Sequence, residues 1–391
     1  MFIYGVISFS IRMDRKHYIF SLKAKNSGAF EHGWNLAKNL ALKGVDVSYY
    51  NHWWDSPISE VNLETGETRP LDCSKLSGKE GVFHLQTHTW QYDGLLERII
   101  TNKNQKLIYN LHAIIPYFYM GEKQKKDFLD GKLDYQRIKE GIEGKMSGRE
   151  KAQLELFSKV DYLFAISKNH KKVLDLMGVR TPTYVFENLS DLSSADEETF
   201  LKASALSGAF REKIGAENVL LYCGRVEKSK GSFGLFDSFR KVRSEFPSSK
   251  LILLGTGEDR AKKLLSLGLG GDLIGDIEFV PWEDKNTVLG KINFLKYYLS
   301  ADVLVQPVIT DELYSKTVID AMSVGIPAIT CKSPYTIGSS ASADDIFKSF
   351  VFMKENPCEV HRITKLAKDK VMKENTWDSY ISRLSGILRG D

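Results

Sequence analysis

Four cysteines in 391 residues are too few and too scattered for a disulfide framework. Cys73, Cys223, Cys331 and Cys358 form no C-x-x-C and stand at no metal-binding spacing with histidine. Cys223 and Cys331 fall at the ends of apolar runs that read as buried strands, where a thiol is inert packing, so the sequence predicts a reducing, cytoplasmic compartment. No apolar run approaches the roughly 20 residues needed to span a bilayer. The opening MFIYGVISFS has no basic region before it and runs at once into Arg12, Asp14, Arg15 and Lys16, so it reads as a strand and not as a signal peptide. Neither charge sign is in excess: 54 basic residues face 50 acidic ones, a net +4, and nucleic acid is not implied as a partner. Short repeats and low-complexity tracts are absent. So is any Asp-x-Asp, the usual loop device for holding a divalent ion, while the adjacent Asp344 and Asp345 stand at a helix start, where acids complement the helix dipole. The glycine-rich GTGED, Gly255 to Asp259, lacks the third glycine and the downstream acid of a dinucleotide fingerprint, which disfavours a nicotinamide enzyme.

What is present is alternation. The length suits two domains better than one core. In the first half, strands are expected at Phe2–Ser8, Asp46–Tyr50, Val82–Gln86, Lys106–His112, Asp161–Ser167 and Thr183–Asn188, with an amphipathic helix from about Phe30 to Lys43 whose core stripe is Phe30, Trp34, Ala37 and Ala41. The polar stretch Leu189 to Glu217 reads as a connection with some helix. Alternation then resumes with NVLLYCG (Asn218 to Gly224), a helix near Phe233 to Phe246, KLILLGTG, IEFVPW and ADVLVQPV, and the chain closes on an amphipathic helix from Glu374. Strands separated by helices predict parallel sheets. The expected organisation is a first domain over 1–188, a connection over 189–217 and a second domain over 218–373, with the helix 374–391 packing back on the first. Two doubly wound domains joined in this way leave a cleft that the carboxyl ends of both sheets can face. The mixed-sign run Gly121 to Lys151 reads as a solvated helical face, with weak peripheral membrane association as the minor reading.

Candidate site residues cluster at strand ends. In ITDELYSKTVIDAMSVGIPAITC, Glu312 precedes a short helix and Asp320 lies inside it, after a predicted buried strand. A loop and helix start at that place is where open α/β sheets bind anionic ligands, so both acids are expected to face a ligand. In GRVEKSKGSFG, Arg225 leaves a strand end and Lys230 precedes a helix, so two cations and a helix start converge where a diphosphate could sit. In NSGAFEHG, Gly28 stands at a helix start where a missing Cβ lets backbone approach a phosphate. Of eight histidines, His84, His88 and His112 fall at or just beyond strand ends and His32 opens a helix; His112 is the strongest candidate.

The order GR…KG, LILLGTGE, IEFVPW, ADVLVQP and E-x7-D-AMSVGIPAI resembles the donor-binding domain of retaining glycosyltransferases of the family-4 type, on the GT-B fold. SGAFEHGWNLAKNLALKGVDV, YNLHA, DYLFAISKN and VFENLSD are similar to elements of its first domain and junction. The resemblance implies two Rossmann-like domains facing each other across a cleft and a nucleoside diphosphate sugar, UDP- or GDP-linked, as co-substrate, with no cofactor and no metal. It implies that Glu312 contacts hydroxyls of the donor sugar, Asp320 the ribose, Arg225 and Lys230 the diphosphate, and that Gly28 faces that phosphate. It sets His112 beside the sugar, with Pro281, Leu313, Tyr314 and Ser315 lining the donor site. The implied reaction is hexosyl transfer with retention to a hydroxyl of a glycan, a lipid-linked glycan or a small metabolite. Epimerisation or phosphorolysis on the same fold, or nucleotide-sugar binding without turnover, are the alternatives. Three departures stand out: Asp320 is one methylene shorter than the usual Glu, Ser315 replaces a Gly, and Leu189 stands where the junction usually has Gly.

Overall fold

The structure, a computed structural model, describes residues 13, 15–22, 28–52, 58–76, 78–86, 104–111, 122–132, 134, 136, 148–226, 231–255, 271–285, 287–307, 315–330, 333–338 and 342–390. The strand expected at Phe2–Ser8 lies outside them. The chain divides into two compact units, one formed by 1–187 with 380–391 and the other by 188–379.

In the first unit the elements run β1 (His17–Leu22), α1 (Gly28–Leu42), β2 (Val47–His52), β3 (Ser59–Val61), β4 (Thr68–Pro70), β5 (Gly81–Leu85), β6 (Gln105–Leu111), α2 (Glu122–Leu129), α3 (Gly148–Lys159), β7 (Tyr162–Ala165), α4 (Lys168–Leu176) and β8 (Thr183–Val185). The eight strands form one sheet in the order β4-β3-β2-β1-β5-β6-β7-β8. All neighbours are parallel except the β2-β3-β4 edge. The period-two alternation of a strand sorts the side chains onto two faces. One face is apolar: Tyr18 and Phe20, Phe83 and Leu85, Leu107, Tyr109 and Leu111, and Leu163 form a continuous core with Phe128, Leu156, Phe157 and Leu174 from the helices. The opposite face carries His17, His84 and Asn110, all buried. Over it, α1 buries Leu36, Ala37 and Leu40, whereas Ala41, read from the sequence as core, is exposed. Tyr380 also covers that face, its hydroxyl donating to Asn110 Oδ1 at 3.1 Å and its ring lying against Phe186 at 4.5 Å.

β1 was not expected from the sequence. It pairs with both β2 and β5 and so occupies the middle of the sheet.

The second unit contains α5 (Glu197–Ile214), β9 (Asn218–Cys223), α6 (Ser232–Glu245), β10 (Ser249–Leu254), β11 (Ile277–Val280), α7 (Val288–Leu299), β12 (Val303–Val305), α8 (Lys316–Val324), β13 (Ala328–Ile329), α9 (Ala343–Glu355) and α10 (Pro357–Glu374). After it comes α11 (Trp377–Arg389), which from Tyr380 onward belongs to the first unit. The sheet is parallel throughout, in the order β11-β10-β9-β12-β13. Every residue of β9 is buried, as expected of a strand covered on both faces. Val219, Leu221 and Cys223 point into a core completed by α7, α8 and α10, while Leu220 and Tyr222 point into a second core completed by α6 and α9. The stretch read as a connection, 189–217, is built into this unit. α5 is capped by Asp196, ends at the left-handed Gly215, and packs Phe210 edge-on against Tyr297 at 5.2 Å. No helix among the described residues is long and apolar enough to cross a membrane.

Candidate functional site

Numbered from β9, the strand order of the second unit is 3-2-1-4-5. Crossovers on either side of the β9/β12 junction therefore leave to opposite faces, the switch-point arrangement in which open α/β sheets bind ligands outside the strand carboxyl ends. β9 is followed by Gly224 and Arg225, and β12 by Gln306 and Pro307. The Gly224 N–H still donates to the Leu254 carbonyl at 2.9 Å, and the Tyr222 hydroxyl donates to the Arg225 carbonyl at 2.7 Å, which pins the turn while the Arg225 side chain stays exposed. Gly231 begins α6 at φ 70°, and a Cβ there would stand 2.1 Å from the Pro307 carbonyl oxygen. Only glycine lets the segments after β9 and β12 approach so closely.

The helices that follow these two strands share a further property. The starts of α6 at Gly231 and α8 at Ser315 receive no side-chain cap, whereas Asp196, Thr287 and Ser342 cap α5, α7 and α9. The start of α10 is uncapped as well, but it follows α9 directly and not a strand. Uncapped N–H groups at the positive end of a helix dipole suit an anionic ligand.

Of the residues singled out in the sequence, Lys230, Glu312, Leu313, Tyr314 and His112 lie outside the described residues, as does His88. Gly28 opens α1 in the first unit. Arg225 and Ser315 stand at the two uncapped helix starts' side of the second sheet, the one after β9 and the other at the head of α8. Pro281 is exposed just beyond β11, and the following Trp282 lies so close over Gly255 that a Cβ there would be 2.7 Å from the indole ring.

Asp320 is not where the sequence reading set it. Instead of facing a ligand, it points into the unit and is fully buried. Its Oδ1 accepts from the Ser190 hydroxyl at 2.9 Å and from the Asp191 N–H at 3.1 Å, and its Oδ2 accepts from Lys285 Nζ at 2.9 Å. Lys285 Nζ also lies 3.6 Å from Asp191 Oδ2, which Lys316 reaches at 2.5 Å. Burial pushes the Asp191 carboxyl up, but Lys316 and Lys285 outweigh it and hold the group below its ordinary value. Burial raises Asp320, with Lys285 pulling against it and Asp191 adding to it. Because every close neighbour of Asp320 is a donor, the geometry is that of an ionised carboxylate. Lys285 was missed from the sequence, and Ser190 and Asp191 appeared there only as the last two letters of VFENLSD; a lysine and a serine in loops carry no local signal of burial.

The histidines also differ from expectation. His84 is not at a strand end but inside β5, fully buried, its Nε2 2.9 Å from Nδ1 of the equally buried His17. Burial drives both rings toward the neutral form, lowering His17 to about 4 and His84 well below its ordinary value. His32 packs edge-on to Tyr380 at 5.4 Å.

Residues 209–376 match the family model of glycosyl transferases group 1. Alpha-monoglucosyldiacylglycerol synthase from Acholeplasma laidlawii is 26% identical over 184 residues, which is 45% of this chain and 41% of that protein. An uncharacterized glycosyltransferase of Methanocaldococcus jannaschii is 24% identical over 178 residues, 44% of this chain and 40% of its own length. The chain thus spans about two fifths of the curated relatives it matches. Among solved structures, sucrose-phosphate synthase from Thermosynechococcus elongatus superposes with a TM-score of 0.67 at 15% identity, covering 96% of this chain and 98% of that one. HepE from Anabaena, solved in complex with UDP-glucose, gives 0.66 at 13% identity, covering 96% and 100%. At such identities the likeness establishes the fold, which is GT-B.

Proposed function

We propose, for a chain that belongs through residues 209–376 to the glycosyl transferases group 1 family, that it moves a hexosyl unit from a UDP- or GDP-linked sugar to a hydroxyl acceptor, with retention and without a metal ion. The observation that carries the reading is the pair of uncapped helix starts, α6 and α8, following the two strands that flank the switch point, with Arg225 exposed beside the first. Breaking the anomeric C–O bond leaves charge on the β-phosphate and an oxocarbenium-like sugar. Fixed donors aimed at that charge therefore lower the barrier more than they tighten ground-state binding.

In this reading Arg225, Lys230 and the helix N–H groups neutralise the leaving diphosphate. Glu312 holds hydroxyls of the sugar, His112 steadies it, and the leaving phosphate accepts the acceptor's proton. UDP-glucose is the first donor to test, since HepE binds it. The name of the Acholeplasma relative makes a diacylglycerol-type lipid one acceptor worth including in a panel.

The test is to incubate the protein with UDP- and GDP-hexoses and a panel of hydroxyl acceptors, following nucleoside diphosphate release and the anomeric configuration of the product by NMR. Transfer that survives excess EDTA and keeps the donor's configuration is expected. Loss of transfer on chelation, restored by Mg²⁺ or Mn²⁺, overturns the charge assignment, and an inverted product overturns the mechanism.

A further inference from the structure

We infer that Asp320 is a positioning residue, clamped by Lys285 to hold the head of α8, and that it does not bind the ribose of a nucleotide. The inference rests on the proposed nucleotide-sugar site and reassigns one of its members.

The side chain is closed off from a ligand. Both oxygens are taken, by three protein donors at 2.9–3.1 Å, and none of the residue is exposed. Its shorter side chain fits that role: a Glu would carry the carboxylate about 1.5 Å further along the same direction, into a space already filled by Lys285. Lys285 is itself committed. It is 6% exposed, its ammonium stands 4.8 Å from the centre of the Phe294 ring, and it also lies near Asp191 Oδ2.

Two lysines and two aspartates meet here, and Lys291 adds to the positive field on Asp191. They join three separate pieces of chain: the segment 190–191, the loop after β11 that holds Lys285, and α8. Lys316 in the first turn of α8 grips Asp191, while Asp320 in the second turn is gripped by Ser190, the Asp191 N–H and Lys285. Two turns of one helix tied to the same two residues cannot slide or rotate independently of them. The uncapped start of α8 at Ser315 is thereby held in one orientation. Removing one member leaves a buried charge without its partner, which is far more disruptive than losing a surface pair.

The experiment compares wild type with Asp320→Asn, Asp320→Glu, Lys285→Met and Lys285→Arg. Calorimetry with UDP and GDP, each beside its 2′-deoxy analogue, reads ribose contact directly. A charge-assisted hydrogen bond to the 2′-hydroxyl is worth roughly 10- to 100-fold in affinity, so a ribose-binding Asp320 requires the preference for the ribo form to collapse in Asp320→Asn. We expect that preference to stay within about twofold of wild type while turnover falls by about tenfold or more, following the scale of a displaced donor group. We also expect Lys285→Met to reproduce the loss of turnover and Lys285→Arg to restore part of it. Asp320→Glu is expected to lower the thermal midpoint without tightening nucleotide binding.

A collapsed ribo preference in Asp320→Asn, or tighter binding in Asp320→Glu, overturns the inference. A thermal double-mutant cycle between Lys285→Met and Asp320→Asn needs no nucleotide, and strict additivity there overturns it too. Failure of the wild type to bind either nucleotide would instead count against the proposed function and leave the cycle standing as the test.

Discussion

Acid should loosen the first unit through its buried histidine pair. His17 begins β1 in the middle of the eight-stranded sheet and shares one hydrogen between its Nδ1 and His84 Nε2 at 2.9 Å. Its pKa falls from 6.5 to about 4 because burial penalises the charged ring. The folded-state value lies below the unfolded one, so between pH 6.5 and 4 the unfolded chain binds the extra proton. Stability is therefore fully present above pH 6.5 and is lost as the pH falls toward 4. At about 1.36 kcal/mol per pH unit the full loss is about 3 kcal/mol, of which about 2.5 kcal/mol is gone by pH 4.5. His84 is shifted in the same direction, with His17 and His32 adding to the effect of burial, so its contribution has the same sign. The assay is hydrogen exchange of peptides covering 17–22 and 81–85 at pH 7.5 and 4.5, corrected for intrinsic rates, in wild type and in His17→Phe/His84→Leu. The double variant replaces both rings with apolar groups that cannot titrate, so the wild type should lose about 2.5 kcal/mol more protection than it does. Equal losses in the two proteins would refute the assignment to this pair.

Other expectations follow from single contacts. Arg225→Ala should cut turnover by roughly 100-fold with circular dichroism unchanged, because the side chain is exposed and the substitution keeps the carbonyl that accepts from Tyr222; wild-type turnover would remove it from the site. Gly231→Ala must set a Cβ 2.1 Å from the Pro307 carbonyl at a positive φ, so a loss of about 2 kcal/mol or more in denaturant titrations is expected, together with weakened nucleotide binding. Tyr380→Phe should cost about 1–3 kcal/mol, since it strands Asn110 Oδ1 in a buried site; a change indistinguishable from zero would mean that water replaces the hydroxyl.

The strands of the second unit were legible because a parallel sheet covered on both faces needs continuous apolar runs, and NVLLYC and KLILL supply them with clear breaks at Gly224 and Gly255. In the first unit β1 escaped notice. HYIFSL follows the charged Arg15 and Lys16 and opens on a histidine, and nothing local reveals that this histidine is paired with another 67 residues away. α5 was read only as some helix within a connection because its polar composition hides its few buried positions, Thr199, Ala203, Ser207 and Ile214. For the site, the sequence marked the helix that carries Asp320 but had that acid facing a ligand, whereas it points into the unit. An acid on a short helix looks the same whether it meets solvent or a buried lysine, and residues 190, 285 and 320 come together only through the tertiary fold.

The assignment of residues 380–391 to the first unit has a consequence for biosynthesis. During translation the second unit, contiguous from 188 to 379, emerges whole and can close its sheet on its own. The first unit is complete only when α11 leaves the ribosome. Until then Phe164, Phe186 and Asn110 lack the Tyr380 ring and hydroxyl that cover them. The unit begun before the second is thus completed after it, and the interval in which its aromatic surface stands open to chaperones or to self-association is set by the time needed to synthesise the whole second unit.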